Sequence, residues 1–267
     1  MISIDLSGKH ALVCGSTQGI GKAIAIAFAQ AGASVVLAAR NTNTLQSVKQ
    51  ELETLSKQSD QVHNIICADF SHHEEVEHAV RDYLAVSQKP IHILVNNTGG
   101  PAPGSVTEAS GEDFVRAFVQ HIVVNQTLTQ LLLPQMKQEG YGRIINIVST
   151  SVKQPIPNLG VSNTIRGAVA SWAKTVSFEV ARYGITINNI LPGFIKTARL
   201  EALAHSIANA QHKEVHHVEQ DMLQTIPAGR FGEASELGQL AAFLASPLAA
   251  YITGTSIAID GGRTTAL

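Results

Sequence analysis

Cysteine is scarce: the 267 residues hold two, Cys14 and Cys67. With no ligand spacing between them, they exclude a disulfide framework and a cysteine-built metal site. Both fall in apolar runs of strand length and read as buried thiols of a reducing compartment. A surplus of one charge is missing too. Lys and Arg total 19 against 21 Asp and Glu, for a net charge of −2, and no long run of either sign occurs. Composition therefore points to neither nucleic acid nor an anionic membrane as partner. No uncharged apolar stretch reaches the roughly 18 residues that span a bilayer. Residues 1–13 carry Asp5, Lys9 and His10 and lack the apolar core of a secretory signal. A Ser/Gly linker, a composition shift and an internal repeat are likewise missing, so residues 1–267 are expected to form one cytoplasmic domain.

What is present begins with a glycine turn. Gly15-Ser16-Thr17-Gln18-Gly19-Ile20-Gly21 follows the apolar Ala11–Val13 and opens a helical pattern through Ile20, Ile24 and Phe28. A strand, a glycine turn and a helix in that order make a phosphate site. The helix start offers free N–H groups and the positive end of its dipole, and glycines allow close approach. The spacing is G-x-x-x-G-x-G rather than the commoner G-x-G-x-x-G.

Strand-like runs then alternate with helical patterns. His10–Cys14, Ser34–Ala39, Val62–Cys67, Ile91–Asn96, Arg143–Ile147, Thr186–Leu191 and Ser256–Ile259 read as strands buried on both faces. Between them, Leu45, Val48, Leu52 and Leu55 make one apolar stripe, and Ser71 to Glu74 reads as a capping box opening a helix with Val76, Val80 and Tyr83 inward. Longer helices are predicted over Ser110–Met136, ending near Pro134, and over Leu159–Ala181, with a short last one over Ser235–Ala245. The fold class is α/β: a single doubly wound Rossmann-type parallel sheet of about seven strands, helices on both faces, ligands at the strands' carboxyl ends. Residues 194–225 break the rhythm and read as a substrate lid over that end.

With those motifs placed, nearly the whole chain resembles the short-chain dehydrogenase/reductase family, particularly its 3-oxoacyl-acyl-carrier-protein reductase-like members. Asn96-Asn97-Thr98-Gly99 is similar to the family's N-N-A-G, and Asp69 matches its adenine-holding acid. Leu191-Pro192-Gly193 with Ile195 and Thr197 resembles the P-G-x-x-x-T against the nicotinamide carboxamide, and Ile252-Thr253-Gly254 and Asp260-Gly261-Gly262 match the C-terminal segment. The resemblance implies a dinucleotide on Gly15, Ser16, Gln18, Gly19, Ile20, Gly21, Asp69, Asn96, Thr98, Gly99, Pro192, Gly193, Ile195 and Thr197. It also implies a homo-oligomer, often a tetramer. Arg40 follows the second strand where an acid would select NAD(H), so NADP(H) is the favoured cofactor and NAD(H) the lesser one.

The family's tetrad of Asn, Ser, Tyr and Lys is where the sequence departs. Alignment through Ile145-Asn146-Ile147 and Gly167-Ala168 places Ser149 on the serine, Ser162 on the tyrosine and Arg166 on the lysine. Counting back from Leu133-Pro134 places His121 on the asparagine. The four tyrosines (Tyr83, Tyr141, Tyr183, Tyr251) are too distant in sequence to fill the vacancy. Ser162 and Arg166 share a helix face, and Arg166 can still hold the nicotinamide ribose. Serine is too weak an acid to replace tyrosine, whereas histidine, with an ordinary pKa near ~6.5, suits acid–base work or can simply pack.

Two functional readings follow. One is an NADP(H)-dependent oxidoreductase interconverting a carbonyl and an alcohol, with a small-molecule or acyl-thioester (3-oxoacyl-type) substrate and an atypical proton relay. The other is an inactive NADP(H)-binding member acting as sensor or assembly partner. A cofactor-free lyase resembling the halohydrin dehalogenases is set aside, because those keep the tyrosine and lose the nucleotide glycines. His205, His212, His216 and His217 crowd the lid, but His212 and His216 lack a third ligand at fixed spacing, so no metal is expected. Gly99 to Gly104 is a stiff loop expected beside the nicotinamide.

Overall fold

The alternating apolar runs become one parallel sheet in the computed structural model, which describes residues 4–266. Its strands are β1 (His10–Cys14), β2 (Ser34–Ala39), β3 (Asn64–Cys67), β4 (Ile93–Asn96), β5 (Gly142–Ile147) and β6 (Ile185–Pro192). The short β7 (Ile195–Lys196) and β8 (Gly232–Glu233) pair with each other, and β9 (Ser256–Ile259) returns to the main sheet. The helices are α1 (Gly19–Gln30), α2 (Thr42–Leu55), α3 (His73–Ser87), α4 (Gly111–Phe118), α5 (Val124–Gln138), α6 (Gly160–Val180), α7 (Ala198–Gln211), α8 (Val215–Gln224) and α9 (Ala234–Ala245).

The period of two along each strand explains the three layers. Ala11 and Val13 face a core built with Ile24 and Phe28 of α1, Leu45 of α2 and Leu237 of α9. Leu12 and Cys14 face the opposite core, with Val76 of α3, Leu128 of α5 and Ala173 of α6. Strand order is β3-β2-β1-β4-β5-β6-β9, all parallel. The crossovers diverge between β1 and β4, which opens a crevice at the carboxyl ends of those two strands, where open α/β sheets bind ligands.

An amide ladder pins the register beside that crevice. Asn96, Asn146, Asn189 and Ser256 lie opposite one another on β4, β5, β6 and β9. Asn96 Nδ2 donates to Asn146 Oδ1 (2.8 Å), Asn146 Nδ2 to Asn189 Oδ1 (2.9 Å), and Asn189 Nδ2 to Ser256 Oγ (3.0 Å). A register slip by one residue would strand every buried amide, so the ladder fixes where β4 ends and the following loop begins.

Several sequence expectations are corrected. Cys14 is buried, with its thiol pushed up to about 12 by desolvation, but Cys67 is exposed because β3 is an edge strand. Edge position also shortens β3, which starts at Asn64 rather than Val62, and β4 starts at Ile93 rather than Ile91. Ser71 caps nothing. Its hydroxyl donates to Asp69 Oδ1 (2.7 Å), α3 opens after His72 without a side-chain cap, and Glu75 instead accepts from the Asp69 N–H (3.0 Å). Capping boxes lie elsewhere, between Ser110 and Asp113 at the start of α4 and between Glu233 and Glu236 at the start of α9.

The single helix expected over Ser110–Met136 is broken by a π turn at Val119–Val123, and α5 carries Pro134 within it and runs on to Gln138. Residues 194–225 hold β7, α7 and α8, whose Ala204, Ala208, Val218 and Met222 form a small core of their own. His212 is the left-handed C-cap of α7 and His216 lies in α8, so the two do not share a helix face as their spacing suggested. Among the described residues no group of three or more His, Cys, Asp or Glu is placed to hold a metal. No described helix is long and apolar enough to cross a membrane.

Candidate active site

The crevice is framed by the glycine turn on one side and the loop after β4 on the other. Asn97 joins them: its Nδ2 donates to the carbonyls of Cys14 (3.2 Å) and Gly15 (3.3 Å). That closeness dictates glycine. A Cβ on Gly15, which has φ +58°, would lie 2.5 Å from the Asn97 carbonyl oxygen, and one on Gly21 would strike the Gly15 carbonyl. No side chain caps α1, whose N-cap is the exposed Gln18, and no acid occupies its first turn. By contrast Asn41 caps α2 and Thr197 caps α7. An uncapped helix start facing a glycine cradle fits the diphosphate of a dinucleotide.

The other predicted cofactor residues gather at the same edge. Thr197 Cγ2 lies 3.2 Å from where a Cβ on Gly19 would stand, so the segment after β6, with Pro192, Gly193 and Ile195, comes back over the turn. Gly99 is exposed with open space beside it. Arg40 is exposed at the end of β2, and its guanidinium lies 4.0 Å from Asp69, whose carboxyl is held low chiefly by the Ser71 hydrogen bonds. Two residues are internal supports. Ser16 is fully buried with its hydroxyl 3.4 Å from the Ala38 carbonyl, and Asn96 belongs to the amide ladder.

Around the far end of the crevice stand His121, Arg166 and the turn at Ser149. His121 lies in the π turn, 2% exposed, its Nδ1 hydrogen-bonded to Thr98 Oγ1 at 2.9 Å and its Nε2 buried without a partner. Arg166, 8% exposed on α6, donates from Nη1 to the Ile147 carbonyl at 3.1 Å, beneath the Ser149 turn. Ser149 is the half-buried N-cap of a 3-10 turn and accepts from the Ser151 N–H at 3.1 Å, leaving its own hydroxyl proton free. A cavity of about 690 Å³ beside this region is lined by Pro101–Ser105 and α4 but by none of these residues.

Known proteins share this plan. A family model described as enoyl-(acyl carrier protein) reductase matches residues 15–264. The NADPH-dependent reductase BacG of Bacillus subtilis (strain 168) is 33% identical over 257 residues, covering 96% of this chain and 98% of its own. The chain belongs to the short-chain dehydrogenase/reductase family. The 7alpha-hydroxysteroid dehydrogenase of Escherichia coli (strain K12) is 31% identical over 263 residues, 97% of this chain and 96% of its own. The crystal structure of L-sorbose reductase from Gluconobacter frateurii, complexed with NADPH and L-sorbose, superposes with a TM-score of 0.92 at 29% identity over the full length of both chains.

Among the candidate residues, His121 is brought close to Thr98, whose Oγ1 bonds its Nδ1, and to the charge of Arg166. The sequence leaves His121 either an acid–base group or a packed residue. Burial, then the charges of Arg166 and Arg199, lower it from 6.5 to about 3, with the Gly99 backbone acting weakly the other way. Ser162 is 7% exposed, so a tyrosine at this position would have to displace packed neighbours. Arg199 was missed by sequence reasoning. It lies two residues beyond Thr197 in the first turn of α7, where a cation opposes the helix dipole, and that misplacement was the available signal.

The depressed pKa makes stability acid-sensitive. The unfolded chain protonates His121 near 6.5 and the folded chain only near 3, so its contribution is complete above pH 6.5 and lost as pH falls toward 3. His92, lowered to about 4 chiefly by burial, adds to the same fall. Denaturant titrations of the parent protein are expected to lose stability between pH 6.5 and 4. The His121→Asn variant should lose up to about 3 kcal/mol less over that range. Equal slopes for the two proteins would contradict a neutral, buried His121.

Proposed function

We propose that this chain reduces a carbonyl group of a small molecule to an alcohol with NADPH, without a tyrosine acid. The observation that carries the reading is the convergence of His121, Thr98 and Arg166 at one end of a crevice whose other end is a glycine cradle. The uncapped start of α1 and Gly15, Gly19 and Gly21 hold the diphosphate. Asp69 holds the adenine, Arg166 the nicotinamide ribose, and the Pro192–Thr197 segment the carboxamide. When bound, NADPH supplies the hydride.

The chain's own residues manage the charge and the proton. Ser149, its oxygen already engaged by the Ser151 N–H, donates its hydroxyl to the substrate oxygen. Arg166 is lowered to about 10, chiefly by burial and then by Arg199, and is still a cation at neutral pH. It stabilises the negative charge that develops on that oxygen, the kind of fixed electrostatic term that dominates many active sites. Thr98 fixes the ring of His121 through Nδ1, and the neutral ring holds a water through which the alkoxide takes its proton from bulk solvent. Residues 194–225 act as the lid. The exposed Val115, Phe118 and Phe178 on α4 and α6 support a homotetramer built on those helices.

Incubation with NADPH and a panel of ketones, 3-oxoacyl thioesters and oxo acids should consume NADPH and yield an alcohol identifiable by mass spectrometry. Firm NADPH binding with no alcohol from any class would leave a nucleotide-binding protein without turnover. Fluorescence titration should also show NADPH bound more tightly than NADH. Arg40→Ala should narrow that preference by about tenfold, the loss of one charge-assisted contact. Equal affinities in the unmodified protein would remove Arg40 from phosphate recognition.

A further inference from the structure

Two guanidinium groups meet against the loop after Gly99. A Cβ on Gly100 would stand 2.8 Å from Arg199 Nη2 and 3.1 Å from Arg166 Nη2, so the two cations are no further apart than those distances combined. Among the described residues, no Asp or Glu oxygen lies within 4.0 Å of either. Arg166 is buried and held rigid by the Ile147 carbonyl. The unpartnered Nε2 of His121 belongs to a ring that both arginines influence electrostatically. Buried cations are ordinarily paired, and here the buried Arg166, with the exposed Arg199 beside it, has no protein anion to meet.

We propose that Arg166 and Arg199 form a subsite for a carboxylate of the substrate, which is therefore an oxo acid rather than a neutral ester or thioester. The inference rests on the reductase reading and deepens it. Guanidinium forks match a carboxylate in two parallel hydrogen bonds, which a lysine at the family position would not provide. The cofactor diphosphate already has its cradle at the start of α1. Arg199 rises from the lid segment and Arg166 from the sheet-bound helix, so an anion between them would join lid to floor.

The test uses the protein saturated with NADP+ and pairs of probes: acetoacetate and 2-oxobutyrate, each beside its methyl ester. Calorimetry should detect the acids and not the esters. Arg199→Gln, an exposed position that should not disturb folding, is expected to weaken acid binding by about tenfold or more, with Arg199→Lys recovering part. NADPH affinity, titrated separately, should be unchanged. Acids binding no better than esters would overturn the subsite, as would failure of every acid to bind. Loss of NADPH affinity in Arg199→Gln with acid binding spared would also overturn it and assign Arg199 to the cofactor's phosphates. The two readings fail separately. Acid binding without alcohol formation keeps the subsite and removes the reductase, while esters reduced as readily as acids do the reverse.

Discussion

Gly21→Ala is expected to abolish dinucleotide binding, with at least about a hundredfold loss of NADPH affinity, because the turn cannot admit a methyl group. A Cβ at this position would strike the carbonyl of Gly15 and lie 2.6 Å from Asn97 Nδ2. The first is backbone. The second is the side chain that ties β4 to the turn through two carbonyls. Neither can move without opening the cradle. The overpacking should also destabilise the fold by about 1–3 kcal/mol, which for a chain of this length lowers the melting temperature by several degrees. Gly167→Ala is the contrast. Its Cβ would meet nothing within 4 Å inside α6, and the change should leave stability equal or slightly raised. Fluorescence titration and thermal melts of the two variants check this, and a Gly21→Ala protein that binds NADPH normally would refute the cradle.

The second large effect is at Arg166. Arg166→Met retains most of the buried bulk but removes the cation and the hydrogen bond to the Ile147 carbonyl. Loss of a positioned electrostatic donor should lower kcat by about 10²–10³. The Ile147 carbonyl, left without its partner, adds a stability loss of about 1–3 kcal/mol. Arg166→Lys would keep the charge. It lacks the guanidinium fork that donates to the Ile147 carbonyl, so partial rescue of kcat is expected. Full activity in Arg166→Met would place the charge stabilisation elsewhere.

Much of the fold could be read from local pattern. β1, β2 and β9 match the expected runs residue for residue, because central or well-bounded β-branched segments leave few alternatives. The misses have physical causes. Ser71 meets the capping-box pattern, but Asp69 two residues earlier captures its hydroxyl, a competition the pattern does not weigh. The π turn around His121 adds no composition signal, since an α-helix and a π turn share their residue preferences.

Candidate site residues could be named from the sequence, but not their ionisation. Resemblance to the family's motifs singles out His121, Ser149, Ser162 and Arg166 as candidates. What the ring of His121 does depends on its 2% exposure and on two nearby cations, one of them contributed by a helix start far along the chain. Arg199 escaped notice because it nears the loop at Gly100, about a hundred residues away, and a glycine carries no side chain to suggest a meeting.

The central claim is that the substrate oxygen is stabilised by fixed donors, with no group titrating near neutrality. The pH dependence of single-turnover NADPH oxidation, with a reducible oxo acid at saturation, tests it most directly. With His121 lowered to about 3 and Arg166 at about 10, the rate should stay level from weakly acidic to moderately alkaline pH. It should fall only as Arg166 loses its proton near 10. A limb with an apparent pKa between about 6 and 7, abolished in His121→Asn, would contradict it and make the histidine the acid after all.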